Sequence, residues 1–474
     1  MKPIAALVLL VAAAAHAQDK PAVAPVLAPT VTHHTLDLPG RTLVFTATVE
    51  ATRLQDAKGV PDAEIGVTAY TLDGADPATR PVTFVINGGP GAGSVWMQLG
   101  ALGPWRVKLD QPSPSMPVAT VPNAETWLDF TDLVLLDPPG TGFARVLGGE
   151  EARKKYWAVA GDLNGLAEAI RRWLQTHHRM ASPKAIAGES YGGFRAPRLA
   201  RLLPGEQGIA ISALVLLSPA LDIAAINRDD VISYAVRLPA MAATQRHATD
   251  RAALADVEKY ARGEYITDVL AGPRDPTSFP RLVTAVTNVT GLDPALVRRL
   301  SGQIGTQTFI HEHDRASNAV DSAYDATIAA PDPFADSPNS YPPDPVLFGL
   351  QPVYVSALNA LYADKLNVQP DTRYEILNQT VGHAWDWGRG GMPQAINALR
   401  TDLAFDPTLR VVIAHGLTDL VTPYFATQLI LDALPQIGPP DRLTLLVLRG
   451  GHMFYNVDAS RAALRDAARA AIVR

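Results

Sequence analysis

The stretch "AGESYGGFRAP", residues 187–197, sets Ser190 inside Gly-x-Ser-x-Gly, after a short apolar run and before a segment of helical pattern. A serine hydroxyl is a weak nucleophile at neutral pH and needs an adjacent base, usually a histidine that a carboxylate orients. Where a strand turns sharply into a helix, small neighbours let the serine stand exposed at the top of a sheet, and Gly188 and Gly192 leave that room. The same pattern also fits a plain tight turn, so the rest of the chain has to decide.

Outward from this turn, short continuous apolar runs recur: "VTFVI" (82–86), "LVLL" (133–136), "AIA" (185–187), "ALVLL" (213–217), "RVVIA" (410–414) and "LTLLVL" (443–448). Such runs fit strands buried on both faces of a parallel sheet. Helical stretches fall between several of them, among them "GDLNGLAEAIRRWLQTHH", "YFATQLILDAL" and "ASRAALRDAARAAIV". The alternation predicts an α/β fold with a mostly parallel, doubly wound sheet. Ahead of it, Leu43, Phe45, Ala47 and Val49 share one face, and Ile65, Val67 and Tyr70 continue the pattern, as antiparallel strands at a sheet edge would. Residues 226–387 break the rhythm with helical pieces, Pro-rich loops such as "AAPDPFADSPNSYPPDP" and no convincing buried strand. So long an interval reads as a helical cap inserted over the sheet's functional edge, between core parts at 33–225 and 388–474.

Two later runs end in chemically useful residues. "VVIAHGLTDLVTP" places Asp419 on a loop after a buried strand, and "LTLLVLRGGHMFY" does the same for His452. The order Ser190, Asp419, His452 is the one an α/β-hydrolase requires. Singly, Asp419 reads as well as a helix cap and His452 as a turn residue; three residues in this order, each just past a strand, are harder to explain so. "INGGPGAGS" (86–94) follows another strand, and its Gly-Gly turn lets backbone N–H groups face a cavity. Gly89 and Tyr191, the residue after the nucleophile, are the candidate donors to an oxyanion. The alternative, a phosphate-binding glycine loop, lacks a following Gly-Lys-Ser/Thr.

Composition sets the boundaries. The chain has 474 residues, a formal net charge of −6 and no long block of either sign, which argues against a nucleic-acid surface or a polybasic membrane anchor. "MKPIAALVLLVAAAAHAQ" reads as an export signal over residues 1–17, with Lys2, an apolar run from Ile4 to Ala15 and Ala15-His16-Ala17 as a cleavage site. Residues 18–32 read as a flexible leader, and no later stretch reads as long and apolar enough to be a membrane helix. There is no cysteine and hence no disulfide. Neither a cofactor nor a metal is expected, and oligomeric state is not legible.

At these motifs the chain resembles the serine carboxypeptidase family, secreted α/β-hydrolases that remove C-terminal amino acids. "NGGPGAGS" is similar to the family's Asn-Gly-Gly-Pro-Gly loop, "NAETWLDFTDLVLLDPPGTGF" to its Leu-Asp-Pro segment, and "GESYGG" and "GGHM" to its nucleophile and histidine signatures. The resemblance implies triad roles for Ser190, Asp419 and His452 and a substrate peptide with a free C-terminus. It also implies that Asn87, with Gly88 beside it, and Glu189 bind the substrate's carboxylate, with one of two meeting carboxyls protonated. The chain departs from the family where a second glutamate usually precedes Leu-Gly-Pro, since "MQLGALGPWRV" has Ala101 there. The shorter "LDPPGTGF" loop and the absence of disulfides resemble a bacterial branch. Ala101 keeps an esterase or acyltransferase open as the alternative, and a non-catalytic binding protein on the same scaffold as a more distant one.

Several other residues admit a functional and a structural reading. "HEHD" offers His311 and His313 to a metal but no third ligand nearby. Arg195 suits either a substrate carboxylate or a structural ion pair; Trp385 and Trp387 suit either the cleft or the core; His177 and His178 close a helix; His33 and His34 precede the first strand. Asn288 and Asn378 begin Asn-x-Thr triplets.

Overall fold

Nine strands carry the architecture: β1 (Thr30–Leu38), β2 (Arg41–Gln55), β3 (Pro61–Leu72), β4 (Val82–Ile86), β5 (Asp132–Asp137), β6 (Lys184–Glu189), β7 (Ala213–Leu217), β8 (Arg410–Gly416) and β9 (Leu443–Leu448). The structure, a computed structural model, describes residues 24–109, 114–115, 118–337, 342–389 and 393–473. The strands lie in the order β1-β2-β3-β5-β4-β6-β7-β8-β9, and a short piece at Arg145–Val146 joins β3. From β5 to β9 every neighbouring pair is parallel, whereas β1, β2, β3 and β5 pair antiparallel. This is the α/β-hydrolase arrangement, and it carries the antiparallel edge read from the alternation: Leu43, Phe45, Ala47 and Val49 are buried while Val44 is exposed.

Both faces of the parallel part are covered, which is why the middles of its strands are apolar, with polar residues such as Asp132, Asp137, Lys184 and Glu189 confined to their ends. On one face lie α1 (Val159–Thr176), α2 (Tyr191–Gln207) and a helix at Ile396–Phe405, packing Leu166, Ile170, Trp173 and Phe194 against Phe84, Ile86 and Ile186. On the other lie α3 (Pro345–Asp364) and α4 (Asp458–Ile472), packing Tyr354, Leu358 and Leu464 against Val85, Ala187 and Val215. The run "LTLLVL" is the exception: β9 closes the sheet's edge, Thr444 is exposed and the other residues are only half-buried, because a neighbouring strand is present on one side alone.

Several boundaries move. The segment 1–17 lies outside the described residues, but the leader ends earlier than expected: strand β1 begins at Thr30, and Leu27 is buried in the core. His33 and His34 therefore sit within β1 rather than before it. The interval 226–387 divides in two. Its helices between Val231 and Glu312 close a core of their own with Leu417, Tyr424 and Phe425, whereas α3 and the segment after it pack into the main core. Two short strands, Ala319–Asp321 and Ala329–Pro331, pair within the cap. Contrary to the expectation from the sequence, α3 is long and apolar enough to cross a membrane by length and composition. In the fold, its Leu350, Tyr354, Leu358 and Leu361 are buried against the sheet.

Candidate active site

Parallel strands end at one edge, so the loops after β4, β6, β8 and β9 meet there. Ser190 directly follows β6 and precedes α2, with φ 58° and ψ −121°, a left-handed conformation that L-residues avoid. Its N–H donates to the carbonyl of Leu217 at 2.9 Å, and its own carbonyl accepts from Gly193 and Ala220. The turn is pressed so closely on β4 that a Cβ on Gly192 would lie 2.1 Å from the Ile86 carbonyl oxygen. Glycine is demanded here by contact, not only by turn geometry.

Ser190 and His452 line one small cleft of about 100 Å³ with Asn87, Gly88, Gly89, Glu189, Tyr324 and Met453. His452 Nδ1 lies 2.8 Å from Asp419 Oδ2, and Asp419 Oδ1 accepts from the backbone N–H groups of Val421 and Thr422 at 2.8 and 3.0 Å. The Thr422 hydroxyl lies 2.7 Å from Asp419 Oδ2, and Ser218 Oγ donates to the His452 carbonyl. Burial alone would raise Asp419, but His452 and the surrounding donors bring it below the ordinary aspartate value. Burial likewise disfavours charge on His452, yet Asp419 outweighs it and holds the imidazole above the ordinary histidine value. An acceptor nitrogen that gains a proton next to this carboxylate is therefore stabilised, which is what a general base requires.

The glycine loop lies against the same cleft. A Cβ on Gly88 would meet Tyr191 N at 2.6 Å and Ser190 Cβ at 2.8 Å, so the loop backbone touches the nucleophile turn directly. Gly89 has φ 94°, and Tyr191 opens α2, where first-turn N–H groups have no intrahelical acceptor. Beneath the loop, buried Asp137 accepts from Ser94 N at 2.6 Å and is pushed up to about 6 by burial.

Glu189 and Asn87 form a second unit. Asn87 Nδ2 donates to Glu189 Oε2 at 2.6 Å, and the Tyr455 hydroxyl lies 3.0 and 3.1 Å from the two carboxylate oxygens. Glu189 is pushed up to about 7, chiefly by burial, with His452 and both donors opposing. Ala101 is fully buried in the turn Gln98–Leu102, and Tyr455 lies against Gly100 beside it: a Cβ on Gly100 would come 2.6 Å from the Tyr455 ring. A tyrosine hydroxyl is thus a partner of Glu189, and its ring packs against the residue next to Ala101, the position where the family usually has a glutamate. The sequence offered no signal for Tyr455, whereas Thr422 carries one, since a threonine three residues after an aspartate favours a local side-chain turn.

The remaining candidates go elsewhere. Arg195 is buried and holds Asp162 through both carboxylate oxygens at 2.7 and 2.9 Å, so the ion-pair reading fits. Trp385 and Trp387 pack edge-on against the Tyr191 ring, each at 5.5 Å, rather than lining the cleft. His177 stacks on Trp173 and lies 3.1 Å from Glu50. His313 clusters with Asp314 and Asp321, not with His311, and its two ring nitrogens lie against Asp321 and Gln245. Asn378 caps a short helix and donates to the Gly140 carbonyl.

The chain is similar in part to several known proteins. Serine carboxypeptidase-like 5 of Arabidopsis thaliana is 30% identical over 127 residues, 26% of this chain and 27% of that protein. Serine carboxypeptidase-like 33 of the same plant is 29% identical over 165 residues, 31% of each. The chain thus aligns with less than a third of the length of either relative. Among solved structures, proline iminopeptidase of Mycobacterium smegmatis is 13% identical, with 88% of this chain and 97% of that one covered at a TM-score of 0.37. A peroxisomal α/β-hydrolase of Saccharomyces cerevisiae is 14% identical, with 93% and 87% covered at 0.36. Asp419 and His452 lie beyond the family match and are joined to Ser190 by the fold. Residues 70–266, which hold the glycine loop, the Leu-Asp-Pro segment and the nucleophile turn, match the family described as serine carboxypeptidase, and the resemblance read from the motifs is thereby shown.

Proposed function

We propose that this chain is an exported serine-type carboxypeptidase acting on peptides with a free C-terminus. The observation that carries the reading is one cleft shared by Ser190, His452 on its buried Asp419, and the Asn87–Glu189 pair. Ser190 Oγ attacks the last peptide carbonyl while His452 takes its proton and passes it to the leaving amine. Asp419 holds the imidazole with Nδ1 protonated, and the N–H groups of Gly89 and Tyr191 receive the oxyanion. Water, activated by the same histidine, then releases the acyl group. Asn87 and Glu189, the latter neutral below about pH 7, receive the terminal carboxylate. The segment 1–17 supports export.

Mass spectrometry of peptides incubated with the enzyme tests this. Stepwise loss of C-terminal residues from free acids and not from amides is expected, and Ser190→Ala should lower turnover by about a millionfold. Ala101 in place of the second glutamate favours a second reading, an esterase or acyltransferase. Turnover of esters with peptides untouched would establish that reading instead.

A further inference from the structure

Arg195 does more than pair with Asp162. Its Nη1 donates to the carbonyl of Asn87 at 2.6 Å and lies 3.3 Å from that of Gly88, while Nε and Nη2 grip Asp162 of α1. The guanidinium also lies 4.7 Å from the centre of the Tyr191 ring, one helical turn before it in α2. Arg195 is 1% exposed and is therefore out of reach of any substrate.

The consequence follows from peptide geometry. The Gly88 carbonyl and the Gly89 N–H belong to one trans peptide and point in opposite directions. A cation that draws the Asn87 and Gly88 carbonyls to one side turns the Gly89 N–H to the other, and Gly89 lines the cleft. The backbone N–H of Ala92 lies 3.3 Å from the same Gly88 carbonyl and supports the orientation. The second donor, Tyr191 N–H, starts the helix from which Arg195 itself projects. One side chain thus ties the two candidate donors, on different strands' loops, into a fixed spacing.

We infer that Arg195, clamped by Asp162, is a positioning residue that sets the oxyanion hole by orienting the glycine-loop peptide. The inference rests on the serine-hydrolase reading of the site. In the transition state the donors must already be aimed, and misplacement by about 1 Å costs on the order of a hundredfold. Arg195→Met alone would leave Asp162 buried without a partner and endanger the fold. The double variant Arg195→Met/Asp162→Leu removes the charges together, which buried pairs often tolerate.

The test measures the rate at which a fluorophosphonate modifies Ser190 in the full chain, with folding followed by near-ultraviolet circular dichroism, as a function of pH. Expected is wild-type labelling that Ser190→Ala abolishes, and a double variant of native spectrum labelled about 10- to 100-fold more slowly. The rising limb of its pH profile should stay in place, because Arg195 does not touch His452; general loosening of the site would move that limb as well. Labelling of the folded double variant at the wild-type rate, or a slower rate with a displaced limb, would overturn the inference while leaving the serine-hydrolase reading intact. Failure of the wild type itself to react would sink both. If that double variant does not fold, Arg195→Leu/Asp162→Asn, which also removes both charges, serves instead, with the same rate and the same limb deciding.

Discussion

On the proposed carboxypeptidase reading, Tyr455→Phe should change the pH at which a free C-terminus is distinguished from an amide. Glu189 is buried beside Asn87 and is pushed up to about 7, so on that reading it meets a substrate carboxylate as a neutral donor below that pH and as a like charge above it. The Tyr455 hydroxyl lies 3.0 and 3.1 Å from its oxygens and favours the ionised form. A hydrogen bond to a charged group contributes about 1.5–3 kcal/mol, and about 1.4 kcal/mol corresponds to one pH unit. Removing the hydroxyl should therefore move the midpoint of selectivity from near 7 upward by about 1 to 2 pH units. The assay is kcat/KM for one peptide as its free acid and as its amide, across pH, with the ratio plotted. Taking the ratio cancels the titration of His452, which both substrates need neutral. A midpoint unmoved in Tyr455→Phe, or one that persists in Glu189→Gln, would refute the assignment of Glu189 as the titrating group.

The same carboxyl carries a stability signature. Its pKa, raised from 4.5 to about 7, means that the folded state holds the proton more tightly than the unfolded chain, so stability falls as pH climbs from 4.5 through 7. Glu189→Gln should recover up to about 3 kcal/mol at pH 8 and none at pH 4 by chemical denaturation; equal gain at both would contradict it. Gly192→Ala should abolish labelling of Ser190 or prevent folding, because its methyl would enter the Ile86 carbonyl; a folded variant of normal reactivity would show the turn to be looser than described. Ala101→Glu, which restores the family's residue, should lower stability by about 1–3 kcal/mol or more through overpacking and a buried charge. Thermal unfolding with no loss of Tm would indicate that the turn opens to accept it.

The sequence by itself determined the strand runs, their parallel character, the order of Ser190, Asp419 and His452, and the family resemblance, because each depends on local pattern. Burial on two faces leaves an unbroken apolar run, and a nucleophile turn needs its glycines within a few residues. What tertiary structure decided is whatever depends on contacts between distant segments. Tyr455 comes 266 positions after the glutamate it touches, and no spacing rule links an aromatic beyond the histidine to a carboxyl before the serine. Whether Arg195 faced a substrate or Asp162 was likewise open, since either partner satisfies a guanidinium and only packing chooses between them. The division of residues 226–387 into a cap and a core-packed helix was hidden for a similar reason: both parts are amphipathic or apolar helices, and their partners lie elsewhere in the chain.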